Sequence, residues 1–399
     1  MLITTSTELA ELCRRLAEAD RIAFDTEFVS EDTFYPQLCL LQVATSAETV
    51  AVDAIAVEDL TPLWETLAGG NHVTIFHAGR EELRFSIRAV GTPPRQLFDT
   101  QIAGGLVGPD YPASYGTLVS RYLRHRPEQG ETRTDWRRRP LSKSQIRYAL
   151  EDVRHLIPLH TKLYRRLDEM ERSAWMESEI AAWIDSVRAS DDRPQWRRVS
   201  GIGGLSGQSL AIVRELWLWR QEEARLRDRP PRRVLRDDLI VEIAKRKSAQ
   251  PEKIRAIRGL QYKSLRGKLD ELGGCVARGL NAPRERSKRD KSRETPPQLN
   301  LLGQFLTPAL SSICRNLSIA ASLVGTATDV RDLIAYRLGF PRADDSQLPS
   351  LATGWREQVV GQLIEELLEG KKSIRIENAE SDHPLAFDNV PGASGVPPA

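Results

Sequence analysis

The chain has only four cysteines in 399 residues, Cys13, Cys39, Cys275 and Cys314, and no C-x-x-C pair among them. That excludes a cysteine-built zinc module and a disulfide framework as organising devices. No apolar run approaches the ~20 residues that span a bilayer. The stretch from Met1 to Glu8 lacks the basic start, apolar core and cleavage site of a signal peptide. It reads instead as a short strand and then a helix, with Thr5 and Glu8 spaced as a capping box. The expectation is a cytoplasmic protein without a membrane partner. No internal repeat is evident. The net charge is only +2, but it is unevenly spread. Residues 193–293 hold roughly 27 Lys and Arg against roughly 12 Asp and Glu, a local excess of about +15. A basic middle is therefore offset by an acidic remainder. The 40% hydrophobic and 28% charged fractions are those of an ordinary soluble chain, and its length allows two or three domains.

What is present starts with Ile22-Ala23-Phe24-Asp25-Thr26-Glu27-Phe28. This reads as a buried strand ending in two acids. Side chains alternate along a strand, so Asp25 and Glu27 share one face and Phe24, Thr26 and Phe28 take the other. Two neighbouring acids are costly to bury unless a cation lies between them, and a divalent metal is the natural candidate. A solvated strand end is the plainer alternative. The apolar runs 38–44 and 49–53 follow at short spacing, predicting an antiparallel meander. A helix is predicted at about 57–68, a strand at 73–76, a charged helix from Arg80 to Val90, a short strand at 97–100 and a helix from near Gln101. Glu81 and Glu82 open the charged helix, where a carboxylate also suits the helix dipole. A further helix begins near Ser142. On it Tyr148 and Asp152, four apart, share a face, which an amphipathic helix alone could also produce.

Taken together, these features resemble the DEDD superfamily of 3′→5′ exonucleases in its tyrosine variant, and within it the bacterial ribonuclease D family. The resemblance rests on Phe24-Asp25-Thr26-Glu27-Phe28, Tyr35 to Gln42, His77-Ala78-Gly79-Arg80-Glu81-Glu82-Leu83, Phe98-Asp99-Thr100-Gln101, Asp135 to Ser142 and Tyr148-Ala149-Leu150-Glu151-Asp152-Val153. It covers most of residues 1–175 and implies an α/β, ribonuclease H-like mixed sheet with flanking helices. It further implies two divalent ions, Mg²⁺ or Mn²⁺, held by Asp25, Glu27, Asp152 and the Glu82 position. One ion would lie near the attacking water and the other near the leaving 3′ oxygen, since two cations about 4 Å apart stabilise both in phosphodiester hydrolysis. Tyr148 would orient the water rather than act as base, because a phenol ordinarily titrates near 10. The chain departs from the family at Glu82, where the family has Asp. The extra methylene moves the carboxylate by roughly 1.5 Å. Three consequences stand open: a small backbone adjustment, a preference for manganese, or impaired catalysis.

Substrate contacts are expected at Phe28, which could stack a terminal base or belong to the core. They are also expected at His77, at the strand end, and at Trp136, Arg137, Arg138 and Arg139, which could meet a phosphate backbone or form a solvated loop. Residues 1–190 are read as the exonuclease domain, with a connector to 204. Residues 205–282 are all helical and resemble an HRDC domain, a small nucleic-acid-binding module, on Trp219 to Ala224, Pro230-Pro231-Arg232 and Leu239-Ile240. Trp217 and Trp219 fit its core. Residues 283–299 are read as a flexible basic linker, and 300–388 as a second helical, HRDC-like domain closing in a two-stranded ribbon. The tail 389–399 is read as disordered. The expectation is a metal-dependent exoribonuclease acting on single-stranded 3′ ends and releasing 5′-monophosphates. Its implied partners are RNAs, tRNA precursors foremost, with no obligate protein partner. A DNA exonuclease and a catalytically impaired RNA-binding protein are the alternatives.

Overall fold

The computed structural model describes residues 1–127, 134–192, 194–260, 265, 267–287, 296–342 and 344–391. The N-terminal part is built on a six-stranded mixed sheet. Its strands are β1 (Leu2–Ile3), β2 (Arg21–Val29), β3 (Gln37–Ala44), β4 (Thr49–Asp53), β5 (Val73–Phe76) and β6 (Gln96–Asp99), in the order β1-β4-β3-β2-β5-β6. The antiparallel meander β2-β3-β4 is present, and β5 and β6 add in parallel beside β2. The alternation along β2 decides which helix layer each residue meets. Phe24 is fully buried beneath α1 (Ser6–Ala17), α2 (Thr61–Gly69) and α3 (Arg80–Val90), packing edge-on against Trp64 with ring centroids 5.5 Å apart. The opposite face, which carries Ala23, Asp25 and Glu27, is covered by α4 (Thr100–Leu106), α5 (Tyr115–Leu123), α6 (Lys143–Arg154) and α7 (Leu156–Glu169). Burying one such aromatic or aliphatic side chain contributes ~1.5–3 kcal/mol, so these two layers fix the β2 face on which the acids sit.

The register between β2 and β3 slips by one residue after Glu27, which pairs with Leu40 while Phe28 pairs with Leu38. Cys39 is the extra residue. Such a bulge bends a strand and re-aims its side chains, here directly beyond the acidic pair. The Thr5 capping box forms as expected, with the Thr5 hydroxyl and the Glu8 carboxylate each taking a backbone N–H of the other. The helix expected from residue 57 begins only at Thr61. The Asp53 carboxylate first accepts the amides of Ile55 and Ala56 in a turn, and Asp59 then accepts that of Thr61.

The middle of the chain is a helical unit with its own core, around helix α8 (Gly207–Leu226) and helices Asp237–Arg246 and Leu269–Asn281. Trp217 and Trp219 pack on that core. Helix Leu269–Asn281 crosses α8 so closely that a Cβ at Gly279 would lie 2.6 Å from the Ile212 Cα. It starts at Leu269; residues 261–264 and 266 lie outside the described residues.

The linker reading needs correction at its start. Glu285 donates its amide to the Gly207 carbonyl, and its carboxylate pairs with Arg197 and Arg214 at 2.8 and 2.7 Å. Residues 283–287 are thus held against the helical unit, because Glu285, the one acid among these five residues, finds two arginines. Residues 288–295 lie outside the described residues. The next helix, Pro297–Asn316, opens on a proline, which at the first helical position costs no hydrogen bond.

Residues 297–368 pack onto the N-terminal part and share one apolar cluster with it: Leu306, Leu310 and Leu351 join Leu106, Leu163 and Ile180. Buried Arg172 donates to the carbonyls of Leu106 at 2.5 Å and Leu317 at 2.6 Å. Glu179 takes the Trp355 indole N–H and both Arg356 guanidinium nitrogens. The described chain closes with the antiparallel ribbon Lys372–Ile376 and Leu385–Asn389. Asn389 lies in the ribbon and Val390 donates to the Lys371 carbonyl, so the chain is ordered beyond the expected start of the tail. Residues 392–399 lie outside the described residues.

Candidate active site

Four acids meet where β2, α3 and α6 converge. Asp25 and Glu27 point from the same face of β2, and Asp152 comes from the middle of α6, which packs across β2, β3 and β4. Glu82 enters from the first turn of α3. Glu82 is buried, whereas Asp25, Glu27 and Asp152 keep part of their surface open to the cleft. Among the described residues none of the four forms an ion pair.

The electrostatics follow. Burial, then the charges of Glu82, Asp152 and Glu27, hold the Asp25 carboxyl well above the usual range. Burial, then Asp152 and Glu82, push Glu27 up to about 8. Burial raises Glu82 to about 7 and Asp152 to about 6, against hydrogen bonds from Thr26 and Tyr148 that favour the charged forms. The Tyr148 hydroxyl donates to Asp152. Burial and the charges of Asp152 and Glu27 keep that phenol protonated far past neutrality.

Glu82 explains itself in part. Its Oε1 accepts the Thr26 hydroxyl at 2.5 Å. Thr26 lies on the opposite face of β2 from the two acids, under α3. The longer side chain reaches back to that hydroxyl while its charge is still felt at Asp25 and Glu27.

Several supports hold these groups. Asp99, at the end of β6, is fully buried and accepts amides of Gly79, Gln101 and Ile102 at 2.9–3.0 Å. It caps α4 and fixes the loop before α3, in which Ala78 adopts a left-handed φ of 54°. On the other side, the Ser142–Gln145 capping box starts α6. Arg139 clasps Asp53 with two nitrogens at 2.5 Å each and also donates to the carbonyls of Cys39 and Trp136. Tyr115 donates its hydroxyl to the Glu151 carbonyl and accepts the His155 amide, tying α5 to α6.

These residues fit hard divalent cations. The four donors are all carboxylates, the charges of the others raise Asp25 and Glu27, and among the described residues no cation pairs with them. No three of them bring oxygens within 4.8 Å of one another, so they do not converge on one point. They suit ions that keep open positions for water and phosphate, as Mg²⁺ does.

Residues 1–168 match the 3'-5' exonuclease domain family, and residues 209–276 match the HRDC domain family. The chain is 33% identical over 387 residues to the ribonuclease D of Nitrobacter hamburgensis, covering 94% of this chain and 97% of that one. The corresponding figures for Zymomonas mobilis ribonuclease D are 31% over 385 residues, 95% and 96%.

The chain belongs to the ribonuclease D family.

The structure agrees. Escherichia coli RNase D, described as an exoribonuclease involved in structured RNA processing, superposes with a TM-score of 0.78 at 25% identity, covering 93% of this chain and 98% of that one. The fold is that of a 3′→5′ exoribonuclease with an HRDC module.

The expected substrate contacts fare differently. Trp136 is 5% exposed and packs against Tyr148, with ring centroids 6.2 Å apart, in a small cluster with Leu40, Ala149 and Leu141. It is a support for the tyrosine rather than a stacking platform, because the loop folds its ring under α6. Phe28 is half-buried and packs edge-on against Phe85 at 5.7 Å, which follows the alternation along β2. His77 shares a hydrogen bond of 2.9 Å with Thr100, and burial drops its pKa to about 4, so it is neutral at pH 7 and brings no charge to a phosphate. Arg137 is exposed but pairs with Asp135 and Asp32 at 2.9 and 2.8 Å. Arg139 is taken by Asp53, and Arg138 is exposed. Asp99 and the Arg139–Asp53 clasp were not singled out from sequence. Asp99 was visible as an N-cap spacing before Thr100, but Asp53 and Arg139 lie 86 residues apart and no local pattern joins them.

Proposed function

We propose that this chain removes nucleotides one at a time from single-stranded 3′ ends of RNA, releases 5′-monophosphates, and trims the ends of tRNA precursors in the cytoplasm. The observation that carries the reading is the cation-free cluster of Asp25, Glu27, Glu82 and Asp152 with the Tyr148 hydroxyl on Asp152. Two Mg²⁺ or Mn²⁺ ions held there would neutralise the charge that builds on the phosphate, the nucleophile and the leaving oxygen. The chain's own residues do the rest. Asp25 and Glu27 supply adjacent oxygens from a rigid strand. Asp152 adds a third carboxylate from α6. Tyr148 stays protonated and orients the attacking water by its hydroxyl. Trp136 beneath Tyr148 and the Arg139–Asp53 clasp hold that hydroxyl in place.

The grip on RNA is supported by a groove of about 660 Å³ between the sheet domain and the HRDC unit. Tyr35, Trp217, Arg88, Arg198, Arg225 and Arg232 line it. Arg88 stacks over Tyr35 at 4.2 Å. Arginines and aromatic faces together suit a single strand, whose phosphates need charge and whose bases need a stacking surface. One wall is α3, where Glu81 borders the groove and Glu82 the cleft. At its edge Asp32 joins the two units through Arg137 and Arg233, and Phe34 donates its amide to Asp228.

The test is a time course on 5′-labelled single-stranded RNA and its DNA counterpart with Mg²⁺, Mn²⁺ or EDTA. It compares the parent, Asp25→Ala and Glu82→Asp. A one-nucleotide ladder on RNA, lost in EDTA and in Asp25→Ala, is the expected result. An equal ladder on DNA would redirect the reading to a DNA exonuclease. No ladder from either the parent or Glu82→Asp would leave an RNA-binding protein.

A further inference from the structure

His125, Glu151 and His155 stand together, with Glu151 and His155 on a face of α6 different from the one that carries Tyr148 and Asp152. Glu151 and His155 are four residues apart and share a helix face. The His155 Nε2 lies 3.0 Å from Glu151 Oε1. His125 comes from the end of α5, where Arg124 turns the chain with a left-handed φ of 54°. Its Nε2 lies 3.9 Å from the same oxygen, and the two imidazole rings are 4.5 Å apart. One ligand atom from each of the three falls within 4.8 Å of the others.

We propose that these three residues bind a single transition-metal ion of the zinc class, at a site separate from the acidic cleft. A hydrogen bond accounts for the His155–Glu151 contact. It does not account for His125, whose 3.9 Å separation is too long for one. Ligands ~2.1 Å from a tetrahedral metal stand about 3.4 Å from one another, and the observed separations bracket that value. The second carboxylate oxygen of Glu151 is held by Arg154 at 3.0 Å, which leaves Oε1 as the ligand. This is the orienting contact that metal-bound carboxylates have. The Glu151 and His155 side chains are 10% and 20% exposed and that of His125 is 51% exposed. The site is therefore anchored on α6 and open on one side, leaving a fourth position to water, as in His₂Glu zinc sites.

The donor set separates this site from the cleft. Two imidazoles and one carboxylate suit Zn²⁺, Co²⁺ or Ni²⁺, whereas Mg²⁺ prefers oxygen alone. The ion would fasten the segment after α5 to α6 beside Asp152, strengthening the tie already made by Tyr115. It thereby couples zinc-class metal availability to the rigidity of the catalytic helix.

The experiment titrates the full chain with Co²⁺ in excess Mg²⁺, which occupies the all-oxygen cleft, and follows the visible absorption. One equivalent giving the intense band of four-coordinate cobalt, displaced by one equivalent of Zn²⁺, is expected. The band is lost in His125→Ala and in His155→Ala. Because His125 is exposed, its variant retains the parent's circular dichroism, and its melting midpoint no longer rises on adding Zn²⁺. A parent that shows only the faint band of six-coordinate cobalt overturns the proposal. So does a four-coordinate band that survives in His125→Ala.

Discussion

Replacing Glu27 by glutamine tests the electrostatic state of the cleft without activity as the readout. In the metal-free protein the folded state holds a proton on Glu27 up to about 8, against 4.5 for the free side chain. Between these values the folded chain binds more protons than the unfolded one, so stability falls as pH rises. The contribution is fully present below pH 4.5 and is lost as pH climbs through about 8. One unit corresponds to ~1.4 kcal/mol, so the shift amounts to several kcal/mol, on the order of 10 °C in melting midpoint for a domain of this size. Glutamine keeps the shape and removes the charge. In EDTA the parent should melt progressively lower than Glu27→Gln from pH 5 to pH 8. Saturating Mg²⁺ or Mn²⁺ should close most of that gap for the parent and do little for the variant. If the two proteins melt in parallel across this range in EDTA, the acids are not strained by one another and the metal argument fails.

Other perturbations probe the surroundings. Glu82→Asp loses the reach to Thr26 and should raise the ratio of Mg²⁺- to Mn²⁺-supported turnover several-fold; an unchanged ratio would mean that the longer side chain does not tune metal choice. Arg139→Ala leaves Asp53, whose side chain is 3% exposed, with only its turn amides, at a cost of about 2–4 kcal/mol. It should lower the melting midpoint and reduce kcat more than it raises KM, because the Trp136–Tyr148 support loosens. Burial works to raise the Asp53 pKa, but the hydrogen bonds from Arg139, Ile55 and Ala56 outweigh it and leave it below the usual value. The clasp's contribution should therefore be complete above the ordinary carboxylate value of 3.8 and be lost only as pH falls through the lowered folded-state value. Arg88→Ala, Arg198→Ala and Arg232→Ala should each reduce the salt dependence of single-strand binding by ~0.7 in log–log slope. They should leave cleavage of a dinucleotide unchanged; an equal loss on dinucleotide and long RNA would place the groove outside the RNA path.

The meander, the acid-bearing strand, the Thr5–Glu8 capping box and the helix of Tyr148 and Asp152 were legible because each is local. Alternation sets the faces of β2, and a spacing of four sets the face of α6. What sequence does not carry is partnership across distance. Trp136 stood beside three arginines and read as an RNA contact, yet the ring is folded beneath Tyr148 and one arginine is spent on Asp53. Glu285 sat in a run of basic residues and read as flexible, yet its carboxylate bridges Arg197 and Arg214. The third helical region read as a separate domain. Its apolar stripe instead completes a cluster with Leu106 and Leu163, a pairing that periodicity alone cannot assign.

That shared cluster bears on how the binding module can be tested. Removing everything after residue 205 would strip Leu306, Leu310 and Leu351 from Leu106 and its neighbours, and would leave Arg172 and Glu179 without their partners at Leu317, Trp355 and Arg356. Loss of RNA binding in such a truncation would then mix lost grip with lost stability. Charge substitutions on the groove avoid this, because its arginines face solvent. The same geometry shows why the acidic unit carries a basic one. Four carboxylates are needed to hold cations, and that cluster repels a polyanion approaching without them. Placing the arginines across a groove walled by α3 keeps them out of the cleft, where they would compete with metal for Asp25 and Glu27. On the proposed RNA path it would still bring a strand to the edge of the site, because the helix that presents Glu82 to the acids presents Glu81 and Arg88 to the groove.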